Sequence, residues 1–219
     1  MNSIFEGHRY HLLALGLLGS GVWVVSGAPR MREGALWLET AYLIWLAVGI
    51  AVAHQVYVWF VWRMELLYDW VSRNWPRFGF RAYTVGFAVL GIGRLVIVSW
   101  LAIANQGTLQ IPYHVRWISC GGLLLGSVYC FYSVHRYFGI DRAVGIDHFD
   151  PEARDWPLVD EGIFKYTSNG MYSVGFLILW VPGLFLGSVA ALVAAGFHHT
   201  YIWVHYYCTE RPDMRAIYG

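Results

Sequence analysis

Long stretches without Asp, Glu, Lys or Arg organise this chain. They run from Tyr10 to Pro29, Thr40 to Trp62, Leu95 to Val115, Trp117 to His135 and Tyr166 to Thr209. A helix needs roughly 20 apolar residues to cross the hydrocarbon core of a bilayer. The last stretch, 44 residues long, has length for two crossings, with a tight hairpin tip expected at Pro182-Gly183. The first lacks a strongly basic start and a small-residue cleavage site before Pro29-Arg30, so it reads as a retained helix and not a signal peptide. Six spans are predicted, near 10–28, 37–62, 83–104, 112–134, 171–181 and 184–208. A β-barrel would alternate apolar and polar residues over segments of about 10. Runs such as Leu12-Leu13-Ala14-Leu15-Gly16-Leu17-Leu18 do not alternate. Helices, which satisfy their own backbone in lipid, are the expected elements.

Composition agrees. The 219 residues are 58% hydrophobic, 18% aromatic and only 13% charged, with a mean hydropathy of +0.46. An ordinary soluble domain is about 25% charged. The net charge of +1 offers no basic field for nucleic acid. Three cysteines without a CxxC make neither a disulfide framework nor a zinc site. Disordered, coiled-coil and nucleic-acid-binding classes are excluded, and an all-α, polytopic integral membrane protein remains. With six spans, eleven Lys and Arg fall on the side of both termini (Arg9, Arg63, Arg73, Arg77, Arg81, Arg136, Arg142, Arg154, Lys165, Arg211 and Arg215). Three, Arg30, Arg32 and Arg116, fall on the other. Positive residues stay inside, so both termini are predicted to be cytosolic, in a bacterial inner membrane or an endoplasmic reticulum membrane. The polar loop Ile140–Phe164 carries apolar and turn residues that suggest an ordered cap. No repeat divides the chain, which reads as a single membrane domain over 1–219.

Chemistry is carried by few residues. Arg94 sits halfway along the third span, where a charge is costly and calls for a partner or a watery cavity. Either an ion pair, with Glu39 for example, or bidentate contact with a phosphate or carboxylate answers that need. His54, beside Gln55 in the second span, is a candidate proton acceptor or a hydrogen-bonded core residue. His199, Trp203, Tyr206 and Glu210 share one face of an α-helix, and His198, Ile202, His205 and Thr209 share its neighbour. No carboxylate lies among these histidines inside the membrane, so no metal site is expected; haem ligation needs only one or two of them and stays open. Before the last hairpin, Gly162–Gly175 forms a polar, glycine-bearing turn. After it, Glu210 returns to the same membrane face. Backbone N–H groups at a helix start suit a carboxylate, and Glu210 suits a cation, so the pair fits a zwitterion such as an amino acid moiety. A carboxylate at a helix C-terminus is not favoured by the helix dipole, which points to a bound cation.

These last segments resemble the integral-membrane methyltransferases that use S-adenosylmethionine. The phosphatidylethanolamine N-methyltransferase branch is the nearer one, and the isoprenylcysteine carboxyl methyltransferases are the related branch. Lys165-Tyr166 and Asn169-Gly170-Met171-Tyr172 match the phospholipid variant of the family turn, with Gly170 in place of a proline and Gly175 one residue further on. Glu210-Arg211-Pro212 leading to Ile217-Tyr218 matches the family tail, with Arg211 in place of a second Glu. Tyr137-Phe138-Gly139-Ile140 is also similar to the phospholipid branch. The resemblance implies N-terminal spans over 1–110 and a methyltransferase-like core over 111–219 with a C-terminal helical hairpin. It implies a cytosolic cofactor pocket for S-adenosylmethionine at Tyr166, Asn169, Gly170, Met171, Tyr172, Gly175 and Glu210. His54 or His199 would take a proton, and Arg94 would hold the phosphate of a phosphatidylethanolamine-like acceptor entering from the lipid. A thiol, a carboxylate or a small lipophilic molecule is the alternative acceptor. A haem-carrying or structural membrane subunit is the non-enzymatic alternative. Sterol reductases share the broad architecture, but no dinucleotide signature is present.

Overall fold

A computed structural model of the chain describes residues 3–34 and 36–219. All regular elements among them are helical. Helix α1 spans His8–Ser26, α2 Trp37–Tyr68, α3 Gly79–Ala104, and α4 Tyr113–Ser133, which runs on into a π turn at Val134–Phe138. The polar loop beyond it is a chain of short helical turns at Ile140–Ala143, Ile146–His148, Pro151–Asp155 and Gly162–Lys165. The next apolar stretch is broken into a turn at Gly170–Ser173, a 3₁₀ segment at Gly175–Trp180 and α5, Val181–Leu186. Helix α6, Val189–His205, passes through a second π turn, Tyr206–Glu210, into α7, Arg211–Tyr218.

Glu39–Tyr68, Gly79–Ala104 and Tyr113–Phe138 are long and apolar enough to cross a membrane. Their outer faces are those of a protein in lipid. Val85, Val89, Ile92 and Val96 form an exposed stripe at helical spacing on α3, and Ile118, Leu125 and Val128 do the same on α4. Leu12, Leu13, Leu17, Trp23 and Val24 are exposed on α1. Inside, the helices meet on small side chains. Ala47 and Ala51 of α2, Ala102 of α3 and Ala190, Ala191 and Ala194 of α6 are fully buried with Leu43, Ile44, Val98 and Leu101. In lipid no hydrophobic force drives helices together, so close backbone approach over alanines supplies the packing.

Three expectations change. Helix α2 continues beyond Trp62, so Arg63, expected to be a loop cation, is helical and completely buried, where Asp213 pairs with it. The fifth segment begins at Gly170 and reaches Leu186. Pro182-Gly183 is not the hairpin tip: both residues lie in the first turn of α5, where a proline gives up an N–H that has no helical partner anyway. The chain turns at Gly187 and Ser188 instead. Gly187 has φ 64°, a region that only glycine enters cheaply. A Cβ there would collide with Nη1 of Arg116. Ser188 then caps α6, its Oγ accepting from the Ala191 N–H at 3.1 Å.

The side of the bundle that holds this turn is fastened by Asn105, at the end of α3 and completely buried. Its Nδ2 donates to the carbonyls of Arg30 (3.1 Å) and Glu33 (2.6 Å). Its Oδ1 accepts from Thr108 Oγ1 (2.9 Å), Ser188 Oγ (3.0 Å) and the Ala190 N–H (2.9 Å). One amide joins the α1–α2 connection, the end of α3 and the start of α6, with no donor or acceptor left over. Asn105→Ala strands buried groups on all three. It is expected to cost about 3 kcal/mol, from ~1–3 kcal/mol for each unsatisfied buried group. That lowers the thermal unfolding midpoint of detergent-purified protein by roughly 6–12 °C; an unchanged midpoint rejects the role.

Candidate functional site

The π turn after α6 sets the site. A π turn holds one residue more than an α turn and rotates the rest of the helix by about 100°. His199, Trp203, Tyr206 and Glu210 therefore do not share a plain α-helical face as expected. Tyr172 gathers them instead. Its hydroxyl donates to the Glu210 carboxylate, and its ring meets Trp203 and Tyr206 edge-on at 6.1 Å each. Glu210 is also not at a helix end. The helix runs on through α7, so the argument from an unfavourable dipole does not hold for it.

Tyr172 is held by a tightly bonded turn. The carbonyl of Asn169 accepts from the N–H groups of Tyr172 (3.1 Å) and Ser173 (3.0 Å) and from Ser173 Oγ (2.8 Å). The Asn169 N–H is itself bonded to Thr167 Oγ1 at 3.2 Å. Gly170 is buried against Ile163, whose Cγ2 would lie 2.9 Å from a Cβ at that position. A proline there would crowd Ile163, which is a physical reason for glycine at this place. Gly175 is buried beside Cys130 and Phe131 of α4. Met171 packs its side chain into the cluster of Cys130, Val134, Ile163 and Phe164, so only its backbone faces the turn. Tyr166 is largely exposed and does not join the group.

Burial pushes the Glu210 carboxyl up from the ordinary 4.5 to about 7; the Tyr172 hydrogen bond opposes this and the charges of Asp213 and Asp147 add to it. Aromatic rings extend the wall inward: Phe176 lies 6.4 Å from Tyr172 and 6.1 Å from the His199 ring. Trp180 Nε1 donates to Nδ1 of His199 at 3.1 Å, which fixes the proton of the neutral imidazole on Nε2.

Deeper in, Arg94 is buried with its guanidinium over the Phe176 ring at 5.3 Å and one long bond, 3.4 Å, to the Ala51 carbonyl. It forms no ion pair among the described residues. Glu39, the suggested partner, is exposed at the start of α2, twelve residues and about 18 Å of helix before Ala51. His54 is buried edge-on to Phe87 at 4.7 Å, with neither ring nitrogen bonded. The side chain of Gln55, Nε of Arg94 and the hydroxyl of Tyr83 are likewise buried without a partner among the described residues. Buried polar groups are almost always bonded, and these are among the exceptions in the described residues. His198 is different: its Nε2 is bonded to the Ala47 carbonyl at 2.9 Å, a structural contact. No group of three His, Cys, Asp or Glu side chains suited to a metal occurs among the described residues.

Sequence reasoning missed Tyr83, Trp180, Arg63 and Asp213. Tyr83 and Trp180 lie among many aromatic residues and carry no distinguishing spacing. Arg63 and Asp213 had a signal: an arginine in register with an apolar helix, and an acid one turn beyond Glu210.

Comparison with known proteins supplies the family. Residues 115–219 match the phospholipid methyltransferase family. No curated protein and no solved structure gives a match. The matched residues include α4 from its third residue, the Asn169–Gly175 turn, α6 and Glu210. Over residues 115–219 the chain is similar to the phospholipid methyltransferase family, which supports a methyltransferase that works in a membrane.

Proposed function

We propose that the enzyme transfers a methyl group from S-adenosylmethionine to the amine headgroup of a phosphatidylethanolamine-like lipid. The observation that carries this reading is the convergence of Tyr172 and Glu210 inside an aromatic wall, in the part of the chain that matches the family. When bound, S-adenosylmethionine supplies an electrophilic sulfonium methyl. Glu210 pairs with its ammonium group. The Gly170 and Met171 N–H groups, which open the Gly170–Ser173 turn and donate to no carbonyl within it, receive its carboxylate. The rings of Tyr172, Trp203 and Tyr206 favour a cation between them. The Tyr172 hydroxyl donates to one oxygen of the Glu210 carboxylate and leaves the other for the ammonium.

Arg94, buried and in no ion pair among the described residues, is assigned to the acceptor's phosphate. The acceptor amine must lose a proton before its lone pair attacks the methyl. His54, with both ring nitrogens free, takes that proton. His199 has its lone pair engaged by Trp180 and is assigned to holding the aromatic wall beside the methyl. Holding amine and methyl in line supplies much of the rate. The three apolar helices, with α1, Gly170–Leu186 and α6, make six crossings, both termini in the cytosol; the eleven-to-three distribution of Lys and Arg supports this.

Glu210→Gln is expected to weaken S-adenosylmethionine binding at least about tenfold, ~1.4 kcal/mol, in isothermal titration of a folded, detergent-purified variant. Asn169→Ala and Tyr172→Phe are expected to weaken it less. Wild-type protein that ignores millimolar S-adenosylmethionine removes the donor assignment, and normal binding by Glu210→Gln removes only the pocket.

Acidity gives a second test. Only ionised Glu210 pairs with an ammonium, so donor affinity falls as pH drops through about 7. For the ligand-free protein the sign is reversed. The native state holds the Glu210 proton more tightly than the unfolded chain, so this group's stabilising effect is full below 4.5 and is lost as pH rises towards about 7. Both dependences are expected to vanish in Glu210→Gln, as followed by titration calorimetry and thermal unfolding across that range.

Arg94→Ala is expected to impair use of phosphatidylethanolamine in mixed micelles while donor affinity stays within about twofold, a change far below the ~3–5 kcal/mol lost when one partner of a buried ion pair is removed. Loss of donor binding with acceptor use intact rejects the assignment. Orientation is checked by labelling cysteines introduced at positions 3 and 217; modification of either from outside intact cells refutes the cytosolic termini.

A further inference from the structure

The second π turn has a mechanical problem built into its sequence. Pro212 has no N–H, so a carbonyl one turn earlier loses its helical donor. A π turn also displaces neighbouring carbonyls from their usual partners. Arg63 of α2 answers both. Its Nη2 donates to the carbonyls of Cys208 and Thr209, each at 3.4 Å, and its Nε lies 2.5 Å from Oδ1 of Asp213. Both side chains are completely buried.

The other side of the guanidinium holds the start of the chain. Nη1 of Arg63 is shared among the carbonyls of Ser3 (3.4 Å), Ile4 (3.3 Å) and Glu6 (3.3 Å), and Trp59 Nε1 donates to Ile4 at 3.1 Å. Gly7 then passes against Cys208 so closely that a Cβ would come 2.5 Å from the Cys208 oxygen. Asp213 has a further neighbour: its Oδ2 lies 3.4 Å from Nε2 of His148, which is stacked on Trp62 at 4.1 Å. The pair thus joins α2, the N-terminal strap, the polar loop and the helix that carries Glu210.

Helix phase says what this fixes. Eight residues beyond His205 in an unbroken α-helix, Asp213 would be turned roughly 80° away from it; one inserted residue reduces this to roughly 20°. His205 and Asp213 are both buried, so the pair holds the helix in its π-turned phase. Glu210 lies in the rotated segment, three residues before Asp213.

We infer that Arg63 and Asp213 are positioning residues for methyl transfer: by capping the π turn and holding its phase, they aim the Glu210 carboxylate at the donor site. This rests on the assignment of Glu210 to S-adenosylmethionine and adds the residues that control it. Removing one partner strands a buried charge and endangers folding, so the informative variant is the double substitution Arg63→Met with Asp213→Leu, which removes both charges and keeps apolar bulk. It leaves the carbonyls of Cys208 and Thr209 without Arg63. Donor affinity is expected to fall about tenfold, with the KM for phosphatidylethanolamine within about twofold of wild type and a lowered but still cooperative thermal transition, since an apolar pair replaces the buried ion pair at little net cost while the carbonyls that Arg63 served lose their donor. Arg63→Lys retains the charge without the planar fork, and is expected to lie between the double variant and wild type. Amide exchange is expected to rise in residues 3–7 and 206–218. The inference is overturned if the folded double variant binds S-adenosylmethionine like wild type, if donor and acceptor constants worsen together, or if exchange rises uniformly along the chain because the double variant does not hold its fold. Wild-type protein without donor binding overturns the Glu210 assignment as well, whereas normal binding by the double variant overturns the positioning role alone.

Discussion

No water is available in a bilayer core to complete a hydrogen bond, so each polar group there must find its partner within the protein. This chain meets the demand unevenly. Asn105 spends every donor and acceptor on backbone and hydroxyl partners from three segments. His198 closes on a carbonyl of α2. These contacts join the alanine-lined faces of α2, α3 and α6. His54, Gln55, Tyr83 and Arg94 are also buried, each with polar atoms left unbonded among the described residues.

Glu210 depends on the same constraint. A carboxylate surrounded by rings is costly to ionise, which is why burial lifts it towards neutrality. Tyr172 offsets part of that cost by donating to it. The aromatic wall contributes without charge, and the broken Gly170–Leu186 stretch brings Tyr172, Phe176 and Trp180 to it in succession.

The chain's irregularities fall where its helices carry chemistry or turn. Helices α1, α2 and α3 are regular. α4 and α6 each end in a π turn. Gly187 gives the connection before α6 its left-handed residue. Gly145, also left-handed, passes over the Trp62 ring so closely that a Cβ would lie 2.5 Å from it. The regular helices therefore serve as a frame on which the C-terminal segments can depart from ideal geometry.

The sequence alone determined the helical, membrane-embedded class, because apolar runs of this length admit few other solutions. Helix bounds were legible to within a few residues where charge marked the ends, as for α1, α3 and α4. Motif order singled out Tyr172 and Glu210, and a hydrogen bond joins the two side chains. Other features were decided only by tertiary structure. Pro182 looked like a turn because proline usually breaks helices, yet it sits where a helix start needs no N–H. Arg63 looked like a loop cation because charge usually marks a membrane boundary, yet Asp213, 150 residues away in sequence, makes its burial tolerable. Glu39 looked like a partner for Arg94 because opposite charges attract, yet helix rise keeps them apart. Local pattern records which groups prefer lipid or water. Which buried group meets which depends on helix phase and chain reversal, and a single inserted residue at the π turn changes both.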